Sequence, residues 1–163
     1  TGNIHGLPLA ALDGYEKRYL TDFHSGNFFK PENTAIVGGR DIDPLEIENI
    51  KDAGVTVFST EEIHKRGMSA VMEDAIAIAT NGTEGMHISY DLDVIDPKIC
   101  PGVSVPAVDG INLDEAYEAV DSIIKHKAKL KSLDIVEYNP ERDIDNKTKN
   151  IAKTILESII NNI

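Results

Sequence analysis

Short apolar segments alternate with longer amphipathic segments along this sequence. The short segments have the length of buried strands. In the longer segments, apolar residues recur every three or four positions, which is typical of helices that bury one face. This alternation predicts an α/β fold with a mainly parallel sheet. The predicted strands are residues 34–39, 55–58, 86–91 and 130–136, and the predicted helices are residues 43–53, 69–79, 113–124 and 151–160, with a short helix after Ser59.

Two of the predicted helix starts carry a local signal. Ser59 is followed by Glu62, and Asn112 by Glu115, with the three-residue spacing of a capping box. No linker, repeat or low-complexity tract interrupts the alternation of strands and helices. We therefore expect one continuous α/β unit that spans residues 1–163.

The composition narrows the class of partner. The 163 residues are 41% hydrophobic, which is enough to bury one core. The formal net charge of -12 argues against nucleic acid or an anionic membrane and is compatible with a small cationic substrate. One cysteine, Cys100, excludes an internal disulfide framework and fits a reducing compartment. Since no apolar run approaches membrane-spanning length and no secretory signal is present, we expect a cytoplasmic protein.

Two aspartates stand at the end of the predicted strand 86–91. Asp91 and Asp93 are two residues apart, and in an extended backbone such residues point to the same face with Cα atoms about 6.5–7 Å apart. Two like charges held so close repel each other unless a cation lies between them. A divalent metal that prefers oxygen ligands would fit. The alternative is an ordinary strand-end turn, the role that we assign to Asp96 before Pro97.

The residues around this pair resemble the ureohydrolases, the manganese enzymes that include arginase and agmatinase. Residues 89–97 reproduce the family's Ser-Phe/Tyr-Asp-hydrophobic-Asp strand end and the Asp-Pro that follows it, and a Pro- and Gly-rich loop continues at residues 100–110. The resemblance implies a three-layer α-β-α arginase-like fold. Residues 1–163 would form the C-terminal part of that single domain.

The resemblance also implies a metal centre for which this chain supplies only some of the ligands. It assigns two Mn²⁺ ions that share Asp91, with Asp93 binding one of them. The family's other metal ligands lie on an upstream histidine and on an Asp-Ala-His-x-Asp segment, and neither occurs in this sequence. We therefore expect the isolated chain to be inactive. A start at Thr1 without methionine suggests that an upstream portion is missing.

The first eight residues resemble a second arginase motif. Residues 1–8 match Ser-Gly-Asn-x-His-Gly-x-Pro, with Thr1 in place of serine. Imidazole can deliver a proton near neutral pH, and the resemblance makes His5 the acid that serves the leaving amine. It assigns Asn3 to the substrate's α-carboxylate and Thr1 to the same end of the substrate. The alternative for His5 is a loop histidine without a chemical role.

Residues 40–46 bear on the class of substrate. Asp43, Pro44 and Glu46 form a helix start on local grounds alone, with aspartate at the N-cap and proline at the first helical position. Arginases carry Arg-Asp-Val-Asp-Pro-x-Glu at this place. The resemblance assigns Asp43 and Glu46 to recognition of the substrate's α-amino group.

Glu137 follows the predicted strand 130–136 and matches the family's Asp-x-x-Glu-x-Asn-Pro strand end. A carboxylate can bind a guanidinium through paired N–H···O bonds, and the resemblance assigns this role to Glu137. The alternative is an exposed strand-end glutamate. The loop departs from the arginase pattern at Val105, which replaces a threonine that contacts the guanidinium side of the substrate.

These motifs predict a manganese-dependent enzyme that hydrolyses the guanidino group of L-arginine to L-ornithine and urea. An agmatinase or another ureohydrolase is the first alternative, although agmatine lacks the α-carboxylate for which Asn3 is suited. A catalytically inactive homologue kept for assembly or regulation is the second, and Val105 and the absent ligands favour it. The family suggests a homo-oligomer, either a trimer or a hexamer.

Overall fold

The structure is a computed structural model that describes residues 6–15 and 27–163. It confirms the predicted alternation of strands and helices, with most element ends within one residue of prediction, and adds one short helix near the start. None of the helices in this described part is long and apolar enough to span a membrane. The strands are β1 (Ala35–Gly39), β2 (Thr56–Ser59), β3 (Met86–Asp91) and β4 (Leu130–Val136), and the helices are α1 (Pro8–Leu12), α2 (Pro44–Ala53), α3 (Thr60–Arg66), α4 (Met68–Ala79), α5 (Leu113–Lys125) and α6 (Lys147–Ile160).

The two capping signals have different outcomes. At α5 the box is complete, because the side chains of Asn112 and Glu115 each accept a hydrogen bond from the other's backbone N–H. At α3 the Ser59 hydroxyl accepts from the backbone N–H of Glu62 at 3.1 Å. The carboxylate of Glu62 instead pairs with Arg66, one turn further along the helix. The prediction of a full box was therefore correct for α5 and wrong for α3.

The strands form two parallel pairs, β1 with β2 and β3 with β4. This confirms the predicted parallel arrangement, although within the described residues no strand joins β1 to β3. Asp91 is the register partner of Val136 at the carboxyl ends of β3 and β4. Glu137, the next residue, therefore leaves β4 beside the end of β3.

The hydrophobic core joins α4, α5 and α6 to one face of β3. Met86 and Tyr90 are buried in it, and the Tyr90 hydroxyl donates to the backbone carbonyl of Ala116 in α5 at 3.3 Å. The opposite face of the β3–β4 pair is polar. There His87 is exposed, and its Nδ1 atom lies 2.8 Å from the hydroxyl of Ser132.

The helix α6 differs from its prediction in extent and in how much of its apolar stripe is buried. It begins four residues earlier than residue 151, packs against α5, and shares the buried core with one face of β3. Of its predicted apolar stripe, Ile155 and Ile159 are buried, but Leu156 is 41% and Ile160 is 58% exposed. The stripe is wider than the face of α6 that the core covers.

Candidate active site

Asp91 and Asp93 are brought together by a turn. The strand β3 ends at Asp91, and Leu92–Val94 form a single 3₁₀ turn. A carboxylate oxygen of Asp91 accepts a hydrogen bond from the backbone N–H of Asp93 at 2.9 Å. Our expectation that both carboxylates project from one extended strand was therefore wrong, because the chain leaves the strand between them. The buried side chains of Leu92 and Ile95 anchor the turn in the core.

The electrostatics of this turn oppose ionisation of both carboxyl groups. Burial, together with the neighbouring Asp93, raises the pKa of Asp91 from 3.8 to about 6. Burial also raises the pKa of Asp93, and the nearby carboxylate of Glu137 adds to that rise. The guanidinium of Arg40 acts in the opposite direction on the pKa of both aspartates without reversing the shift. A bound cation would relieve this repulsion.

Arg40 links the turn to two other segments. It directly follows β1, and its guanidinium donates to the backbone carbonyl oxygen of Asp93. The same side chain donates to the carbonyl oxygens of Ala107 at 3.1 Å and Val108 at 3.2 Å. The end of β1, the turn after β3 and the loop before α5 are thereby held together.

Gly38 allows β1 to approach the same turn closely. Its φ angle is +87°, in the left-handed region where residues with side chains are strained. A Cβ atom at this position would overlap the side chain of Val94. Any larger residue would therefore push β1 away from the aspartate turn.

Glu137 is held next to the Pro- and Gly-rich loop. It adopts a left-handed conformation, with a φ angle of 65°, as the chain leaves β4. The backbone N–H of Asn139 donates to the carbonyl of Gly102 at 2.8 Å, and its side-chain amide donates to the hydroxyl of Ser104 at 3.1 Å. The next loop residue, Val105, is 50% exposed. Val105, the residue that departs from the arginase pattern, thus lies in the loop to which Asn139, two residues after Glu137, is hydrogen-bonded.

Asp43 and Glu46 lie exposed at the start of α2. The backbone confirms the predicted helix start, with Asp43 at the N-cap and Pro44 in the first turn. The side chain of Asp43, however, makes no capping hydrogen bond. Capping therefore does not account for this carboxylate, which remains available to a ligand.

Three of the predicted site residues, Thr1, Asn3 and His5, lie outside the described residues. The part of the site that the structure describes brings Glu137 close to the aspartate turn. Among the described residues, the side chain of Asp43 forms no hydrogen bond or ion pair with this turn.

The donors in the aspartate turn fit Mn²⁺ in kind, because carboxylate oxygens suit this ion. They do not suffice in number. Among residues 6–15 and 27–163, no group of three or more His, Cys, Asp or Glu side chains is placed to hold a metal ion. A complete metal centre would need further ligands in addition to Asp91 and Asp93.

Comparison with known proteins identifies the family. The sequence matches the arginase family over residues 1–161. The chain belongs to the arginase family. An arginase from Brevibacillus brevis is 41% identical over 162 residues, which are 98% of this arginase-family chain and 53% of the relative. A solved structure of arginase from Bacillus caldovelox has 35% identity and a TM-score of 0.90, and the match covers 98% of this chain and 53% of that one.

A third relative carries a ligand. The structure of Entamoeba histolytica arginase in complex with L-ornithine has 34% identity and a TM-score of 0.86, and the match covers 98% of this chain and 53% of that one. The arginase-family chain thus spans about half the length of the relatives that it matches, and the match falls on their C-terminal half. Both the resemblance and the arginase-like α/β fold predicted from the sequence are confirmed.

We did not predict a role for Arg40. The carbonyl groups that it binds belong to Asp93 and Ala107, which are 53 and 67 residues further along the chain. No local pattern could reveal such partners. The only available signal was the position of an arginine directly after a strand that ends in Gly38-Gly39.

Proposed function

We propose that this chain is the C-terminal part of a manganese-dependent enzyme that hydrolyses the guanidino group of L-arginine to L-ornithine and urea. The observation that carries the proposal is the proximity of Glu137 to the Asp91–Asp93 turn, at the carboxyl ends of two parallel strands. Ligands of open α/β sheets bind at these ends. Membership of the arginase family supports the reaction class, and the net charge of -12 suits a cationic substrate.

The chemical roles follow from the kinds of side chain. Asp91 and Asp93 would hold two Mn²⁺ ions, with Asp91 shared between them. When bound, such ions lower the pKa of water and so supply hydroxide near neutral pH. Glu137 orients the guanidinium by accepting hydrogen bonds from its N–H groups. His5 gives a proton to the leaving amine.

The amino-acid end of the substrate would lie at the start of α2. Asp43 and Glu46 accept hydrogen bonds from the α-ammonium group. The carboxylate of Asp43 is exposed and makes no capping hydrogen bond, which supports this assignment. Asn3 binds the α-carboxylate, and Thr1 contacts the same end of the substrate. Agmatine has no α-carboxylate, so this arrangement favours arginine as the substrate.

The rest of the metal centre would come from a segment equivalent to the N-terminal half of the bacterial arginases. This follows from the coverage of about 53% of the relatives' length and from the two metal carboxylates that this chain provides. β1 and β3 each pair on one side only within the described residues, so each offers backbone groups to a further strand. We expect the complete protein to be a cytoplasmic homo-oligomer, either a trimer or a hexamer.

A catalytically inactive homologue is the second candidate. Val105 favours it, because an isopropyl group cannot form the hydrogen bond that a threonine would offer to a guanidinium. An agmatinase is favoured by no observation on the described residues.

The proposal is tested by urea release from the complete, Mn²⁺-loaded protein that contains this chain. We expect a higher kcat/KM for L-arginine than for agmatine, and a loss of about a hundredfold or more in Asp91→Asn. Asp121→Asn removes the same charge from an exposed position on α5 and should leave the rate unchanged. Preference for agmatine would establish the agmatinase, and bound Mn²⁺ without turnover of either substrate would establish the inactive homologue.

A further inference from the structure

The guanidinium of Arg40 binds only backbone carbonyl oxygens among the partners that the described residues provide, and it forms no ion pair with a carboxylate there. These carbonyls belong to three segments: the end of β1, the turn after β3 and the loop before α5. The contacts are from Nε to Val108 at 3.2 Å, from Nη1 to Gly38 at 3.5 Å, from Nη2 to Ala107 at 3.1 Å, and from Nη2 to Asp93.

Arginine is suited to this arrangement by its shape as well as by its charge. Its planar guanidinium presents five N–H donors in a fixed fork, so one side chain can bind carbonyl groups that arrive from different directions. Hydrogen bonds from a charged donor are roughly twice as strong as those between neutral groups. A lysine carries the same charge, but its three donors radiate from one nitrogen and cannot span the same carbonyl groups.

Arg40 restrains the residue that carries one of the two metal carboxylates. The backbone N–H of Asp93 is held by the carboxylate of Asp91 at 2.9 Å, and its backbone carbonyl is held by Arg40. Both peptide groups that flank the Asp93 Cα are therefore fixed. A backbone rotation at this residue, which would redirect its carboxylate, would break at least one of these bonds.

Arg40 also adds hydrogen bonds between two parts of the site that Gly38 and Val94 bring into close contact. The turn and the loop before α5 already form one unit, because Ile95 and Ile111 pair in a parallel bridge and the Ile111 N–H donates to the carbonyl of Val94 at 3.0 Å. Arg40 attaches this unit to the end of β1. Since Asp43 follows only three residues later, the same attachment sets the start of α2 relative to the turn.

We propose that Arg40 is a positioning residue that holds the Asp91–Asp93 turn in place relative to the substrate-binding start of α2. The proposal rests on the proposed function for the identity of the substrate. Arg40 acts through the backbone of Asp93 and does not touch the reacting atoms.

The experiment compares Arg40→Gln and Arg40→Lys in the complete protein, with Arg66→Gln as the matched control. Arg66 also binds several groups through its guanidinium, but its partners are the side chains of Glu62 and Asp74 and the ring of Phe58. Three quantities are measured: the Kd of the metal-stripped protein for Mn²⁺ by calorimetry, kcat and KM for L-arginine, and amide hydrogen exchange across residues 91–95 and 107–111.

We expect Arg40→Gln to raise the Kd for Mn²⁺ and to lower kcat, each by about tenfold or more, with faster exchange in both segments. Arg40→Lys should recover less than half of either loss, because charge without the fork cannot span the carbonyl groups. Arg66→Gln should change neither quantity. Should Arg40→Gln fail to fold, Arg40→Lys carries the same test.

Wild-type Mn²⁺ affinity and kcat in Arg40→Lys would overturn the proposal, since charge alone would then suffice. An Arg40→Gln protein that loses thermal stability while keeping both values would also overturn it. Failure of the proposed function is recognised separately. If the wild-type protein hydrolyses no arginine, the Mn²⁺ affinities and exchange rates of the variants still decide the role of Arg40.

Discussion

The backbone N–H of Asp93 donates to the carboxylate of Asp91 at 2.9 Å, so one member of the pair stabilises the turn that presents the other. Asp91 is thus both an acceptor within the fold and a candidate metal ligand. The first role needs one neutral or charged oxygen atom, whereas the second needs the negative charge. A change of Asp91 to asparagine, which keeps an oxygen acceptor and removes the charge, separates the two.

We expect Asp91→Asn to stabilise the metal-free chain near neutral pH. Burial raises the pKa of Asp91 to about 6 in the folded chain, against an ordinary value of 3.8. Between these values the unfolded chain has released the proton that the folded chain still holds, so the stability of the wild type falls as the pH rises through this window and stays lower above it. Asparagine has no such proton to lose.

The measurement is thermal unfolding of both proteins in a metal chelator at about pH 4 and about pH 7.5. The variant should have the higher Tm at the upper pH, and the difference should shrink at the lower one. Equal differences at the two pH values would show that the charge of Asp91 does not oppose folding.

The isolated 163-residue chain should bind Mn²⁺ weakly and should not hydrolyse arginine. Two carboxylates cannot fill two coordination spheres, and no larger group of metal-binding side chains exists in the described part of the chain. Calorimetric titration with Mn²⁺ checks this. Tight binding of two ions by this chain alone would mean that ligands outside the described residues complete the site.

In the complete protein, Asp91→Asn should cost more activity than Asp93→Asn. Asp91 is expected to bridge both ions, so its replacement weakens both and raises the pKa of the water that they activate. Asp93 is expected to bind one ion, which other ligands can retain. Metal content and kcat of the two variants test the ranking, and equal metal loss would contradict the bridging role.

Asp43→Ala should impair recognition of arginine with little effect on folding. Because the side chain makes no capping hydrogen bond, we expect a change of less than about 0.5 kcal/mol in the free energy of unfolding. If the carboxylate binds the α-ammonium group, kcat/KM for arginine should fall about tenfold or more, which corresponds to about 1.4 kcal/mol.

The control for this change is Asp52→Ala, an exposed aspartate at the other end of α2. Its kcat/KM for arginine should equal that of the wild type. An unchanged kcat/KM in Asp43→Ala would remove this residue from substrate recognition.

Thr148→Val should destabilise the fold by about 1–3 kcal/mol. The buried hydroxyl of Thr148 accepts a hydrogen bond from the backbone N–H of Gly102 at 2.7 Å, and valine would leave that buried donor without a partner. Thr154→Val in the same helix is the control, since its hydroxyl is exposed and bonds only within α6. Denaturant unfolding of both variants measures the difference, and equal midpoints would contradict the prediction.

The sequence by itself determined the parts of this protein that depend on neighbours along the chain. Periodicity located α4 and α5 to within one residue, because burial of one helix face imposes a spacing that the sequence must carry. The long motif around Asp91 was enough to identify the family, because an uninterrupted run of specific residues needs no tertiary information. The same local reasoning succeeded at the capping box of Asn112.

Tertiary structure decided everything that depends on residues far apart in the chain. The distant partners of Arg40 come from two later segments, and a sequence pattern carries no signal for contacts between segments that meet only after folding. The geometry of the Asp91–Asp93 pair was decided by the buried Leu92 and Ile95, which draw the chain out of the strand and into a turn. The spacing in the sequence predicted that the two carboxylates are near each other. The packing of Leu92 and Ile95 determined their relative orientation.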